Sequence, residues 1–282
     1  MKKAIQIPYD EMFEKKCGYA SKAGFEYISV NFTGMIDKTE KQWEEALEHA
    51  GKVMERLSLQ CVQTHAYYYS PVLSSEIVED RCELAIKRAV TATGRLGGGW
   101  CAIHLRTAMN SGFFTSKSFE HNKKCFSEYL ELAIKNNTGI AAENLPTFPH
   151  MWPSTPLYSS NYEDLCNFAD SFNDPHMGIC WDTGHAHLMR FNQAEAIKYL
   201  GGRIKCTHIH NNYRQDDDHF LPDNGNIDWN DVMGAFAAAG YTGPLTLETH
   251  CIYNDEELMK IFAKHNYVCL EYLDRLFSGA AK

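Results

Sequence analysis

Eight short apolar or β-branched runs, each followed by a longer segment of helical period, constrain this chain more than anything else in it. The strand-like runs are 3–8 (KAIQIP), 27–32 (YISVNF), 59–65 (LQCVQTH), 100–106 (WCAIHLR), 139–145 (GIAAENL), 177–183 (MGICWDT), 204–211 (IKCTHIHN) and 243–249 (GPLTLET). Helical segments fall at roughly 10–23, 38–57, 75–93, 118–136, 161–172, 192–200, 228–239 and 255–276. Asp37 with Glu40 and Asn254 with Glu257 read as capping boxes, and Gly24, Gly94, Gly139 and Gly240 as helix stops. Strict alternation implies parallel strands joined by right-handed crossovers. Eight such units in 282 residues predict an α/β fold, a closed (β/α)8 barrel, with residues 1–282 as a single domain. An open doubly wound sheet would carry a glycine-rich fingerprint after its first strand. Here no glycine follows the first run until Gly18. The glycine cluster GRLGGGW (94–100) falls between a helix and a strand, where a tight turn is expected.

The residues that finish these runs point to chemistry. The third ends in His65, the fourth carries His104, the fifth ends in Glu143, and the sixth gives Asp182 followed by His185 and His187. The seventh gives His208 and His210, and the eighth gives Glu248 and then His250. In a closed barrel the C-terminal strand ends converge on one rim, where active sites are built. Buried imidazoles and carboxylates grouped in this way are costly unless they are paired or bind a metal. A mixed histidine and carboxylate set suits Mn²⁺, Co²⁺, Mg²⁺, Fe²⁺ or Zn²⁺. No cysteine falls at these positions, which argues against a structural cysteine-type zinc site. His49, His121, His176 and His265 fall on helices or bottom turns and read as structural or surface residues.

The loops after the third (66–74), fourth (107–117), fifth (146–160) and seventh (212–227) runs are long. They hold Tyr67, Tyr68, Tyr69, Phe113, Phe114, Phe148, Trp152, Tyr158, Tyr213 and Phe220, which either cap the barrel or wall a sugar-sized site. Lys and Arg total 27 against 36 Asp and Glu, a formal charge of −9, so the overall field does not attract nucleic acid or an anionic membrane. No run approaches the length of a membrane span, and no signal-peptide stretch precedes the first strand. Ten scattered cysteines without a C-x-x-C pair read as reduced thiols of a cytoplasmic protein. The sequence leaves a homo-oligomer open.

The stretches AAENLP (141–146), GICWDTGHAH (178–187), CTHIHNN (206–212), NGNIDW (224–229) and PLTLET (244–249) resemble, in this order, the xylose isomerase-like TIM barrel superfamily. That group comprises sugar and sugar-phosphate isomerases and epimerases together with endonuclease IV-type apurinic endonucleases. The resemblance implies a single (β/α)8 TIM barrel and a divalent cofactor, Mn²⁺ first, with Co²⁺, Mg²⁺ or Zn²⁺ as alternatives. By analogy with the ketose 3-epimerases, the ion would be held by Glu143, Asp182, His210 and Glu248, and His185 would contact substrate oxygens. The arginine that those enzymes carry six residues past the metal histidine is here Asp216, with Arg214 the nearest arginine. By analogy with the endonucleases, His65, His104, His185 and the pair Asp217 and His219 would add ligands for a second metal.

The implied activity is sugar epimerisation or isomerisation through a metal-stabilised enediolate, with Glu143 and Glu248 as acid and base on a small keto- or aldo-sugar. Loss of a β-leaving group would instead make a lyase or dehydratase acting on a keto-polyol or keto-glycoside. An endonuclease IV-like phosphodiester hydrolase is disfavoured by the 212–227 loop, where one Arg stands against Asp216, Asp217, Asp218 and Asp223. The same acidity favours a non-phosphorylated small-molecule carbohydrate. Arg106 is the best candidate for holding an anion, and His65, His104 and Arg214 join it as candidate substrate contacts.

Overall fold

A computed structural model describes residues 1–68, 76–108, 114–147 and 157–280. Its strands are β1 (Lys3–Pro8), β2 (Tyr27–Asn31), β3 (Gln60–His65), β4 (Trp100–His104), β5 (Gly139–Glu143), β6 (Met177–Asp182), β7 (Ile204–His208) and β8 (Leu245–Leu247). All join one parallel sheet in the order β7-β6-β5-β4-β3-β2-β1-β8. A parallel bridge between Ile209 and Leu247 brings the two ends together and closes the barrel. The expected eight-unit barrel is the observed one.

The helices are α1 (Phe13–Ala23), α2 (Glu40–Arg56), α3 (Glu76–Arg95), α4 (Phe114–Lys135), α5 (Tyr162–Asp170), α6 (Thr183–Leu188), α7 (Gln193–Leu200), α8 (Trp229–Ala238) and α9 (Glu256–Ala280). The expected stops at Gly24 and Gly240 hold, both glycines having positive φ. Other boundaries differ. Thr39 and Gln42, rather than Asp37 and Glu40, form the capping box of α2. Asp255, rather than Asn254, accepts the first amides of α9. Gly94 lies inside α3, and Asn137 at φ 55° takes the left-handed position after α4. Gly139 does not stop a helix but opens β5, where a Cβ would meet the Trp100 ring at 2.3 Å. A glycine there makes room for the indole at the lower mouth of the barrel.

The large apolar side chains pack between the sheet and the helices, with Ile28, Ile103, Ile140, Phe126, Phe168 and Phe236 fully buried. The barrel axis is filled differently. Ala102, Ala141, Cys180 and Cys206 form a separate small-residue cluster with Trp100 against it. Gln63, Thr207 and Thr246 add a hydrogen-bonded polar layer: Gln63 Nε2 donates to the Thr207 carbonyl and Thr246 Oγ1 donates to Gln63 Oε1. Among the described residues no helix is long and apolar enough to cross a membrane.

Candidate metal centre at the C-terminal rim

Parallel strands place Glu143, Asp182, His208 and Glu248 at the same end of the barrel, and all four are buried. The motifs that flank them shape the backbone. Asp182 caps α6 by accepting the His185 amide at 2.6 Å, which turns the chain sharply and swings His185 over the rim. Asn144 clamps this turn. Its Nδ2 donates to the Asp182 carbonyl, its Oδ1 accepts the Asp182 amide, and its carbonyl accepts His185 Nδ1–H at 2.8 Å. In the sequence the six-residue helix α6 goes unread beyond Thr183, which ends a strand-like run, because its one turn is specified by the Asp182 cap and not by apolar periodicity.

Two donor groups meet at the rim. In the first, the Glu143 carboxylate is fully buried and lies 3.5 Å from His65 Nε2, 3.5 Å from His104 Nε2, 3.5 Å from His185 Nδ1 and 3.2 Å from His208 Nδ1. Neither of its oxygens has a hydrogen bond. Glu248 stands 3.1 Å from the same His208 nitrogen and accepts from Gln6 Nε2. In the second group, His210 Nε2 sits 3.0 Å from Asp182 and 3.6 Å from Asp217, while Asp217 Oδ2 lies 3.2 Å from both His185 and His219. Ligand atoms of His185, His210, Asp217 and His219 all fall within 4.8 Å of one another, and so do those of His65, His104 and Glu143. His185 links the groups.

The hydrogen bonds on the far side of the rings test whether a cation fits. His65 Nδ1 pairs with the Ala66 carbonyl at 2.6 Å, His185 Nδ1 with that of Asn144 at 2.8 Å, and His219 Nδ1 with that of Glu248 at 2.8 Å. A carbonyl only accepts, so each Nδ1 carries the hydrogen and each neutral Nε2 presents a lone pair. Those lone pairs face carboxylate oxygens, lone pair to lone pair. Such contacts are attractive only when a proton or a cation stands between them. The donor set, imidazole Nε2 with carboxylate oxygen and an outer carbonyl on each ring, fits a divalent ion.

Without an ion, protons meet that demand. Burial works against charge on His208, but the Glu143 and Glu248 carboxylates outweigh it and lift the ring to about 10. Burial opposes His219 as well, yet its bond to Asp217 and the field of Glu248 raise it to about 9. Burial would raise Glu143, but His208 and His104 hold it well below the usual carboxylate range. His104 itself is lowered, mainly by burial.

The four ligands implied by the resemblance are thus placed in two pairs. Asp182 and His210 touch directly, whereas Glu143 and Glu248 share His208. Sequence reasoning prefers His210 to His208, yet alternation turns both imidazoles inward around Ile209. It misses Cys180 as well. That residue lies two positions before Asp182 on the same face, with Sγ among the donor atoms of Glu143 and His208. The other candidates spread out. Arg106 runs between α3 and α4, 3.4 Å from His121 and with Cys82 in its field, and Arg214 lies over the His187 ring. Tyr68 stacks on His104 at 5.4 Å, half-exposed over the site. Tyr158 is core, packed on Phe168. Tyr69, Phe113, Phe148, Trp152 and the side chain of Phe114 lie outside the described residues.

Gly184 carries no sequence signal of its own, yet the site depends on it. A Cβ there would meet His210 Cε1 at 1.9 Å and Nδ1 at 2.2 Å. Gly184→Ala should therefore push the His210 ring off Asp182. The expected result is an overpacking cost of about 1–3 kcal/mol in the metal-free protein together with weaker metal binding. A calorimetric titration in which Gly184→Ala binds metal as the parent does would show that His210 takes no part.

The sequence profile of the xylose isomerase-like TIM barrel family matches residues 17–264. The chain belongs to that family. A Sinorhizobium fredii protein, y4fM, is 31% identical over 132 residues, 46% of this chain and 40% of that protein. The D-psicose 3-epimerase of Enterocloster bolteae is 27% identical over 86 residues, 30% of this chain and 27% of the enzyme. The matched stretches thus span less than half the length of these relatives. Among solved structures, a D-tagatose 3-epimerase-like protein superposes with TM-score 0.79 at 19% identity over 100% of both chains. The E. coli 3-keto-D-glucoside 4-epimerase YcjR superposes with TM-score 0.73 at 17% identity, over 98% of this chain and 99% of that one. At these identities the superpositions establish the shared barrel.

Proposed function

We propose that this protein is a divalent-metal-dependent sugar epimerase or isomerase working at the barrel rim on a small keto- or aldo-sugar. The observation that carries this reading is the Glu143 carboxylate, fully buried, without a hydrogen bond, and ringed by imidazole nitrogens at 3.2–3.5 Å. Family membership and the epimerase activities named for several structural neighbours support it. Glu143, Asp182, His210 and Glu248 would hold the first ion, Mn²⁺ by preference, and His185, Asp217 and His219 offer ligands for a second. Such an ion supplies Lewis acidity that polarises a carbonyl and acidifies the adjacent C–H.

The protein's own groups do the rest. Glu143 at the end of β5 and Glu248 just after β8 approach His208 from separate strands, and one takes a proton from the sugar carbon while the other returns one to the opposite face. His65, His104 and His185 line the rim as hydroxyl contacts, with Arg214 further out, and Tyr68 offers a ring face for stacking. Arg106 is a weaker substrate contact than its strand-end position suggests, because its guanidinium runs between two helices. The 212–227 loop is acidic, which favours a non-phosphorylated carbohydrate. We place the protein in the cytoplasm, a compartment that suits its ten free cysteines.

One observation favours a second reading. Two adjacent donor groups, one of His185, His210, Asp217 and His219 and one of His65, His104 and Glu143, resemble the arrangement a multi-zinc phosphodiester hydrolase uses. Elemental analysis combined with deuterium wash-in from D₂O across ketoses, aldoses and inososes separates the two. Deuterium at one carbon with inverted product supports the epimerase. Two or three zinc ions per chain with cleavage of abasic DNA, and no wash-in from any sugar, would overturn it.

A further inference from the structure

Outside the rim, one cluster of ligand-type side chains is built from two elements. Asp223 lies in the loop after β7, the loop that also carries Asp217 and His219. His265 and Cys269 lie on α9, one helical turn apart and so on one face. His265 Nε2 is 2.8 Å from Asp223 Oδ2, and Cys269 Sγ is 3.4 Å from Asp223 Oδ1. One ligand atom from each of the three lies within 4.8 Å of the other two. The thiol is buried while His265 and Asp223 are exposed, so an ion would enter from the solvent side.

Both halves of the cluster are held rigidly. The Pro222 carbonyl accepts from Asn211 Nδ2 at 2.8 Å and from Trp229 Nε1 at 2.7 Å, which fixes the loop just before Asp223. Beside Cys269, the buried Asn266 accepts from Thr249 Oγ1 and donates to the Phe262 carbonyl, tying α9 to the end of β8. Burial and the facing Asp223 carboxylate push the Cys269 thiol up to about 12, with only the Asp223 main-chain N–H pulling the other way, so an ion must displace the thiol proton. Tetrahedral Zn²⁺ with bonds of about 2.0–2.3 Å has ligand–ligand edges of roughly 3.3–3.8 Å. The S···Oδ1 separation of 3.4 Å lies close to such an edge, while the imidazole meets the carboxylate's other oxygen, Oδ2, at 2.8 Å, so the carboxylate must turn and the imidazole withdraw for one oxygen to serve as ligand.

We propose that Asp223, His265 and Cys269 form a separate, peripheral cation site of the Zn²⁺ class that staples the 212–227 loop to α9. Thiolate, imidazole and carboxylate supply three ligands and water the fourth. On binding, the S–H bond of Cys269 breaks, the thiol proton leaves to solvent, and the sulfur lone pair forms the bond to the ion. The two negative ligands balance the ion's charge. This site is independent of the reaction at the rim, but it anchors the loop that presents Asp217 and His219 to it.

Cobalt(II) is the probe. Titrating the metal-free full-length chain with Co²⁺ should produce near-ultraviolet thiolate-to-cobalt charge-transfer absorption. Cys269→Ser should abolish that band and lower bound cobalt by one per chain. His265→Ala should weaken the band's titration by at least about 10-fold. Cys180→Ser, which removes the thiol under the rim, should leave the band intact. Asp223→Asn, which keeps the side chain's size, gives a second reading should the cysteine variant prove unstable, and it too should weaken the band. A wild-type chain without the band, or a band that survives Cys269→Ser, overturns the proposal.

Discussion

Glu143→Gln is expected to leave a folded protein that still takes up part of its metal at high concentration, while turnover falls about 10²–10⁴-fold. The amide oxygen remains a weak ligand, but the amide cannot exchange a proton near neutral pH. Glu248→Gln should lose as much activity and more metal, because Gln6 breaks the symmetry between the two sites. Ser29 Oγ donates to Gln6 Oε1, which leaves Gln6 Nε2 to donate to residue 248. A glutamine at 248 therefore turns its oxygen to Gln6 and its NH₂ group towards His208, where the carboxylate Oε2 now points. Isotope exchange separates the two roles. With a given epimer, the variant lacking the returning acid still washes deuterium into substrate, and the variant lacking the abstracting base does not. Supplying the other epimer should exchange these behaviours. Equal exchange by both variants from both epimers would sink the two-base mechanism and leave a single base, with isomerase or lyase chemistry.

Metal uptake by the chelator-stripped protein should release protons, and its affinity should climb with pH. The sign follows from the rings. His208 is raised to about 10 in the metal-free protein and His185 lies well above its ordinary value, burial being outweighed in both by facing carboxylates. Near neutral pH these imidazoles hold protons that an ion must expel, so raising the pH removes the competitor. Each proton released corresponds to about a tenfold gain in affinity per pH unit. At a hundredfold excess over Kd the bound ion stabilises the fold by about 2.7 kcal/mol, a rise in Tm of roughly 5 °C for a chain of this size. Isothermal titration in buffers of different ionisation enthalpy counts the protons. Uptake without proton release, or affinity that falls as pH rises, would contradict the carboxylate–imidazole reading of the rim.

The barrel was legible because its signal is repeated: eight strand-like runs, each followed by a helical segment, outweigh errors at any single boundary. The rim was legible in outline because an ionisable residue that ends a buried strand must find a partner or a cation there. Finer features were lost where one residue carries the information. The N-cap moved from Asp37 to Thr39 and from Asn254 to Asp255, because several neighbouring polar residues offer a side-chain oxygen and tertiary packing chooses among them. Helix α6 is hidden in the sequence because a single turn shows no period. His208 was read as a rim residue and passed over only as a ligand, whereas Cys180, missed altogether, was recoverable in principle, since it shares the inward face of its strand with Asp182. Gly139 and Gly94 read as stops, and no local pattern reveals that one makes room for Trp100 and the other lies within α3.

The barrel's seam bears on how the rim comes into being. The pairing of Lys3 with Leu245 joins the two ends of the chain, and between β7 and β8 the backbone ladder is reduced to the bridge at Ile209 and Leu247. Side chains complete this seam: Thr207 Oγ1 donates to the Pro244 carbonyl and accepts the Thr246 amide. The β1–β8 pairing, more than 200 residues apart in sequence, is slow to form, because the loop-closure entropy is lost before it stabilises anything. Glu248 follows β8 directly and meets His208 only across that seam. An intermediate with the first seven strands in place would hold Glu143, Asp182, His208 and His210 yet lack the eighth strand's carboxylate. In refolding, the complete rim should therefore emerge with the slowest kinetic phase, after most helical structure has returned.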